Sequence, residues 1–232
     1  MPAVVEVRGL RYRYPDGTDA LKGVDFHLEA HESVALLGAN GSGKSTFALH
    51  LNGLLQGEGL VRVCGIEVNR ASLPAVRRKV GLVFQDSDTQ LFMPTVLEDV
   101  AFGLLNQGVS QEIAAKRAHA ELERVGMASA HGRAPHHLSA GEKKRVALAG
   151  ILALEPDILV LDEPTTFLDP PGQRALADLL RNLPQAKILI THDMPFARVT
   201  CSRAVFFRDG AVASEGTVED IAARFGWNFS AR

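Results

Sequence analysis

The sequence predicts an α/β protein: a mainly parallel sheet core with a helical region inserted into it. Three observations carry this. Ile158 to Leu161, Lys187 to Thr191 and Ala204 to Phe207 are continuous apolar runs separated by helix-length segments, the pattern of strands buried on both faces of a parallel sheet. The compact apolar run Ser33 to Leu37 leads into glycines and then into residues 46–55, where Phe47, Leu51, Leu54 and Leu55 recur at helical spacing. From residue 96 to 154 the composition turns to Ala, Glu, Lys, Arg and Leu, with helical periodicity from Gln111 to Val125.

The remaining elements follow in order. Val4 to Val7 is a short β-branched strand, and Ala20 to Leu28 alternates in part, as a strand with one buried face does. Gly57 and Gly59 end the 46–55 helix, and Leu60 to Val63 with Ile66 reads as a hairpin. Val80 to Phe84 is a buried strand. A helix begins after Ser139 and runs to Leu154, stopped by Pro156. Arg208-Asp209-Gly210 is a hairpin turn into Ala211 to Ala213. The expected division is a core of residues 1–86 and 156–232, with 87–155 as the helical insertion.

Bulk composition excludes several classes. A chain of 232 residues with 46% hydrophobic and 22% charged residues buries a full core. Lys+Arg total 25 against Asp+Glu 27, a net charge of −2, without the basic surplus of a dedicated nucleic-acid binder. Cys64 and Cys201 match neither a metal spacing nor a disulfide framework, so a reducing cytosol is expected. The start MPAVVEVRG turns charged at once, unlike a signal peptide. The longest apolar run, Val146 to Leu154, falls short of the ~20 residues that span a bilayer. Any membrane process must therefore borrow its membrane part from another polypeptide.

Gly38-Ala39-Asn40-Gly41-Ser42-Gly43-Lys44-Ser45 matches G-x-x-x-x-G-K-[ST] between a predicted strand and a predicted helix, the context this phosphate-binding motif requires. The glycines Gly38, Gly41 and Gly43 let the backbone curl, so that N–H groups along Asn40, Ser42 and Thr46 point at phosphate oxygens. The helix N-terminus adds partial positive charge. Lys44 neutralises β- and γ-phosphates, and the Ser45 hydroxyl can ligate Mg²⁺. Ile158 to Leu161 ends in Asp162-Glu163. Neighbouring side chains on a strand face opposite ways, so Asp162 can hold the Mg²⁺ shell while Glu163 faces the attacking water. These two motifs define a P-loop NTPase and no more.

Leu138-Ser139-Ala140-Gly141-Glu142 narrows the field. Ser139 and Glu142 form a capping box, a complete structural account of both residues. The same helix start, with the Ser139 hydroxyl and the Gly141 N–H, can also bind an anion. The ordered set, from phosphate loop through this helix and acidic strand to Thr191-His192, resembles the ABC ATPase family along essentially the whole chain. The resemblance implies a RecA-like core with an N-terminal antiparallel β subdomain and an inserted helical signature subdomain. It implies ATP and Mg²⁺ as ligands, and a head-to-tail dimer in which Ser139 and Gly141 of one subunit reach the γ-phosphate bound by another. Phe84-Gln85 resembles the Q-loop, with Gln85 near Mg²⁺ and the water. Leu168-Asp169 resembles the D-loop, and His192 the switch histidine. Tyr14 resembles the adenine-stacking aromatic, with Tyr12 the competitor. Catalysis is thus expected at Glu163, His192 and Gln85. Ala140 and Glu142 depart from the frequent Gly and Gln, and Phe167 is larger than the usual small residue. Glu142 is expected to cap its helix instead of facing nucleotide.

Three classes compete: a transporter ATPase, an ABC-type nucleic-acid or translation-associated ATPase, and a kinase-like P-loop enzyme. The third leaves the signature helix and His192 unexplained. The second usually carries coiled-coil arms, tandem ATPase halves or basic linkers, and none occurs here. The stretch Gln85 to Val96, with Glu98-Asp99-Val100-Ala101-Phe102-Gly103 and Glu142-Lys143-Lys144-Arg145-Val146-Ala147, resembles the energy-coupling-factor importers, in particular their cobalt-transport branch, with relatives that carry nickel or biotin. Ser87 replaces a frequent proline. The resemblance implies a transmembrane coupling subunit, docked by Leu91, Phe92 and Met93, a substrate-binding membrane subunit, and placement at the cytoplasmic face of the cell membrane. The ATPase partner is a second copy or a homologue, and nucleic acid is not expected.

Overall fold

The computed structural model describes residues 3–227 and holds two sheets. In the first, β1 (Ala3–Arg13), β2 (Asp19–Glu29), β4 (Glu58–Val63) and β5 (Ile66–Glu67) pair antiparallel in the order β2-β1-β4-β5. Its register sets Val5 opposite Leu28 and Val7 opposite Phe26, so one face is apolar throughout. β1 runs to Arg13, well beyond the expected Val4 to Val7, because β2 supplies partners as far as Asp19.

The second sheet has the order β10-β9-β3-β8-β7-β6. Here β3 (Ser33–Leu37), β6 (Val80–Val83), β7 (Ile158–Asp162), β8 (Ala186–Ile190) and β9 (Arg203–Arg208) run parallel, and β10 (Ala211–Gly216) closes one edge antiparallel. The continuous apolar runs are explained by burial on both faces: Val160 pairs with Ile188, and Leu36 with Ile190 and Val205.

Helices complete the layers. α1 (Lys44–Leu51) packs Phe47 between Phe26 and Phe207, with ring centroids 5.1 and 5.4 Å away. A fully buried side chain of this size contributes ~1.5–3 kcal/mol, and these three rings tie the phosphate loop to both sheets. The helix is shorter than the expected 46–55, since Gly53 turns left-handed (φ 67°) and Leu54 lies exposed. α2 (Leu73–Lys79) lacked a sequence signal, having only Val76 buried. α3 (Val96–Asn106), α4 (Gln111–Arg124) and α5 (Ala140–Leu152) fill the 96–154 region and pack Val100, Leu104, Leu122 and Leu148 into one core cluster. α6 (Pro170–Asn182), α7 (Met194–Thr200) and α8 (Val218–Arg224) complete the chain. Among the described residues no helix is long and apolar enough to cross a membrane.

Candidate nucleotide site

The loop 38–43 bridges the end of β3 and the start of α1. Gly38 sits at φ 140°, and a Cβ there would run into the Phe207 carbonyl and the Ser42 hydroxyl. Only glycine lets the loop leave the sheet so closely. The buried Lys44 ammonium donates to the carbonyls of Gly38 (2.7 Å) and Ala39 (2.9 Å). Burial lowers its pKa, against the opposing pull of Glu163 and Asp162. A cavity of about 570 Å³ opens above the loop, lined among others by Tyr14, Asn40, Lys44, Gln85, Glu163 and His192. Gly41, Ser42, Gly43, Ser45, Thr46 and Asp162 also border it, whereas Gly38, whose carbonyl is taken by Lys44, does not.

β7 delivers the two acids. Asp162 Oδ2 accepts from the Ser45 hydroxyl at 2.8 Å, across the gap between the end of β7 and α1. Glu163 follows in the left-handed region, φ 47°, a conformation that costs a non-glycine residue ~1–3 kcal/mol and persists only where its surroundings hold it. Its backbone is held on both sides: the Glu163 N–H donates to Ile190 O (2.8 Å), and Glu163 O accepts the Lys144 ammonium (2.6 Å). Burial raises the pKa of both acids. Ser45 and Lys44 oppose this at Asp162, and the His192 backbone N–H opposes it at Glu163.

His192 leaves the end of β8 toward the same space. Its Nε2 lies 3.0 Å from Asn40 Oδ1 and 3.3 Å from Glu163 Oε1. The hydrogen bond goes to Asn40, and the Glu163 contact is off-axis, so Glu163 Oε1 is buried without a hydrogen bond. Glu163 thus borders the cavity with one carboxylate oxygen that has no hydrogen-bond partner among the described residues, an unmet buried acceptor of the kind that needs an explanation. Burial, with Lys44 adding to it, lowers the His192 pKa. Tyr14 borders the cavity and bonds Thr46 Oγ1 at 3.1 Å, while Tyr12 is absent from its lining and makes T-shaped contacts with Tyr14 and His50. Tyr14, not Tyr12, offers a ring to a ligand here.

Ser139, Gly141 and Asp169 stand outside this cavity. The capping box is complete: Ser139 Oγ accepts from the Glu142 N–H (3.3 Å), and Glu142 Oε2 accepts from the Ser139 N–H (2.8 Å) and hydroxyl (2.8 Å). Glu142 therefore caps its own helix, and these bonds hold its pKa low. Asp169 caps α6 through the Gly172 N–H (2.9 Å). Phe167 (φ 68°) is 72% exposed, and Leu168 beside it closes on Gly141. Sequence reasoning gave Lys144 no role of its own within the stretch from Glu142 to Ala147. The available signal was phase: Lys144, Leu148 and Leu152 share the buried face of α5.

The oxygens of Ser45 and Asp162 are hard donors at one edge of the cavity, next to where the loop would place phosphates. Mg²⁺ prefers such a set, one carboxylate and a hydroxyl completed by phosphate oxygens and water, so these residues fit it.

A glycine-rich loop ahead of a helix, its lysine and a carboxylate pair ending a neighbouring strand define a P-loop nucleoside triphosphatase. Comparison with known proteins narrows this. The ABC transporter family profile matches residues 21–166. The energy-coupling factor transporter ATP-binding protein EcfA of Methanocaldococcus jannaschii is 47% identical over 224 residues, covering 94% of this chain and 80% of that one. Among solved structures, cbiO1 from Clostridium perfringens, described as part of the ABC transporter complex cbiONQ, superposes with a TM-score of 0.86 at 36% identity over 97% of this chain and 92% of that one. A dimeric ATP-binding cassette in a post-hydrolysis state with ADP and phosphate gives 0.85 at 31% identity, covering 92% and 98%. The chain belongs to the ABC transporter family, as an ATP-binding subunit that hydrolyses ATP.

Proposed function

We propose that the chain is the ATPase of an energy-coupling-factor importer, with cobalt ions the favoured cargo and nickel or biotin the related alternatives. It acts at the cytoplasmic face of the membrane through a transmembrane coupling subunit and a substrate-binding membrane subunit. The observation that carries the catalytic half is the incompleteness of the site. Lys44, Ser45, Gln85, Asp162, Glu163 and His192 gather around one cavity, while Ser139, Gly141 and Asp169 stand outside it. Two chains arranged head to tail, or this chain with a homologous ATPase, bring the missing groups together.

In that dimer Tyr14 stacks on adenine, and the loop N–H groups of Gly41, Ser42, Gly43 and Thr46 hold the phosphates with Lys44. Ser45, Asp162 and Gln85 would hold Mg²⁺, which neutralises phosphate charge when bound. Ser139 and Gly141 of the opposing chain close on the γ-phosphate, and Asp169 lies across the interface. Glu163 orients and deprotonates the attacking water, and His192 donates toward the γ-phosphate as charge develops. Closure moves the segment after Gln85, and a coupling helix seated there follows.

The importer assignment is supported by the segment between Gln85 and α3. Asp99 Oδ1 accepts the N–H groups of Phe92 (3.0 Å) and Met93 (3.1 Å), and this holds the turn so that Phe92 stays 63% exposed against the edge of Phe102. Leu91 instead packs in part against the core and Met93 is half-buried, so ordinary packing accounts for most of Leu91. Phe92→Asp should leave ATP hydrolysis by the purified chain within twofold and abolish co-purification of the membrane subunits, identified by mass spectrometry. Undiminished assembly would remove the docking role. Uptake of labelled cobalt, nickel and biotin by the reconstituted complex then separates the cargoes.

A further inference from the structure

The C-terminal segment lies against the switch histidine. The indole of Trp227 stacks on the His192 imidazole, with ring centroids 5.3 Å apart and planes 25° from parallel. This contact is built, not incidental. Thr217 caps the start of α8, accepting from the Asp220 N–H at 3.1 Å, and Val218, Ile221 and Ala222 bury the helix against Leu37 and Phe206. At its other end Gly226 turns left-handed (φ 70°), the Gly226 N–H donates to Ala223 O (3.3 Å) and the Trp227 N–H to Ala222 O (2.8 Å). That pair of bonds is the glycine-terminated helix stop, which fixes the direction of the chain just beyond it. Phe225 lies flat on Phe206, with centroids 3.7 Å apart, and the Arg208 guanidinium sits beside the stack, 4.9 Å from the Phe225 centroid and 5.8 Å from that of Phe206. Trp227 then meets the edge of Phe206 at 5.6 Å and presents its face to His192.

The imidazole is thereby held from two directions. Asn40 Oδ1 engages Nε2 in the ring plane, and Trp227 covers a ring face. The charged groups that face the ring are Glu163 and Asp162 from the end of β7 and Lys44 from α1. Among the groups at the ring, the Asn40 hydrogen bond fixes one nitrogen and the Trp227 indole lies along a face.

We propose that Trp227 is a positioning residue for the switch histidine: it holds the His192 ring in the plane from which Nε2 reaches the γ-phosphate, and links α8 to the catalytic centre. The proposal rests on the role given to His192 above. A residue that acts by orienting a transition-state donor should change kcat and leave the ATP KM alone.

The test uses the purified full chain. Trp227→Leu should lower kcat about three- to tenfold, the order that one aromatic pair contributes, with KM for MgATP within twofold. Trp227→Phe, which keeps a ring, should recover most of the loss. Trp227 is the single tryptophan of the sequence, so its emission reports the stack directly. His192→Ala should change the intensity and the acrylamide quenching of that emission in a chain that stays folded. An unchanged kcat in Trp227→Leu, equal losses in the Leu and Phe variants, or a KM that rises in step would each overturn the proposal. Emission indifferent to His192→Ala would overturn it also, and that arm stands even if Trp227→Leu fails to fold. Full turnover by His192→Ala would instead remove the role of His192, whatever the emission shows.

Discussion

Replacing Lys144 by Met tests whether the signature helix holds the catalytic strand end in its own chain. Met keeps the stem of the side chain and its packing and removes only the ammonium. Lys144 is 4% exposed, and its ammonium donates to the Glu163 carbonyl at 2.6 Å. A buried acceptor stranded by such a deletion costs ~1–3 kcal/mol. Part of that is returned, because an ammonium whose pKa burial already lowers no longer has to be desolvated. A net loss of about 1 kcal/mol is the expectation, and at ~2–4 °C per kcal/mol for a chain of this size the thermal midpoint should fall by ~2–4 °C. Glu163 sits at φ 47°, so the loss should also free its backbone from the left-handed region. The Lys144 cation opposes the burial that raises the Glu163 pKa. Its removal should therefore move the acid limb of the pH–rate profile to higher pH. Differential scanning calorimetry and the ATPase pH profile read the two effects separately. A midpoint within 1 °C of wild type (less than ~0.5 kcal/mol), with an unmoved acid limb, would refute the account of Lys144 as a strut beneath Glu163.

Glu163→Gln should lower turnover by ~10²–10⁴, the range for loss of a general base, and leave an ATP-loaded dimer on size-exclusion chromatography. Brisk phosphate release would remove Glu163 from that role. The same variant carries a pH signature. The folded pKa of Glu163 is raised by burial, so its contribution to stability is present below the unfolded carboxylate range near ~4 and is lost as pH rises through the folded value. Glu163→Gln should thus melt higher than wild type at neutral pH, the gain shrinking on acidification; a gain independent of pH would contradict the burial cost. Ser139→Ala removes the cap of α5 and should cost about 1 kcal/mol, read as a ~2–4 °C drop in the thermal midpoint, together with weaker ATP-driven dimerisation. Loss of stability without loss of dimerisation would leave Ser139 with a capping role alone.

Much of the fold was legible because the strands of the central sheet are buried on both faces. Such strands are apolar over most of their length, so Ile158 to Leu161, and Lys187 to Thr191 with polar residues only at its two ends, announce themselves. The same run ends where Asp162 and Glu163 reach the cavity, so the position of the acids along the chain was legible too. A local signal was also sufficient for the start of α5, where Ser139 and Glu142 form the box that their spacing encodes; the same box at Thr95 and Glu98 starts α3 and went unread. The short α2 was illegible because one buried residue, Val76, cannot make a period. The ends of β1 and α1 were misplaced for another reason, since pairing with β2 and the turn at Gly53 decided them instead of local pattern.

The sequence by itself picked out the loop at residues 38–45 and the acids at 162 and 163 as a candidate phosphate and metal site, and the resemblance to the ABC family added the histidine at 192. These are short motifs whose function depends on residue type at fixed spacing. Only the tertiary structure decided what surrounds them. Asn40 and His192 are 152 positions apart and meet at 3.0 Å. Lys144 reaches the Glu163 carbonyl from the first turns of α5. Trp227 reaches His192 because a glycine at the end of α8 turns the chain back. Each of these contacts joins residues with no local relation. They exist because the parallel sheet brings the ends of β3, β7 and β8 to one edge, and the helices on either face deliver their side chains there.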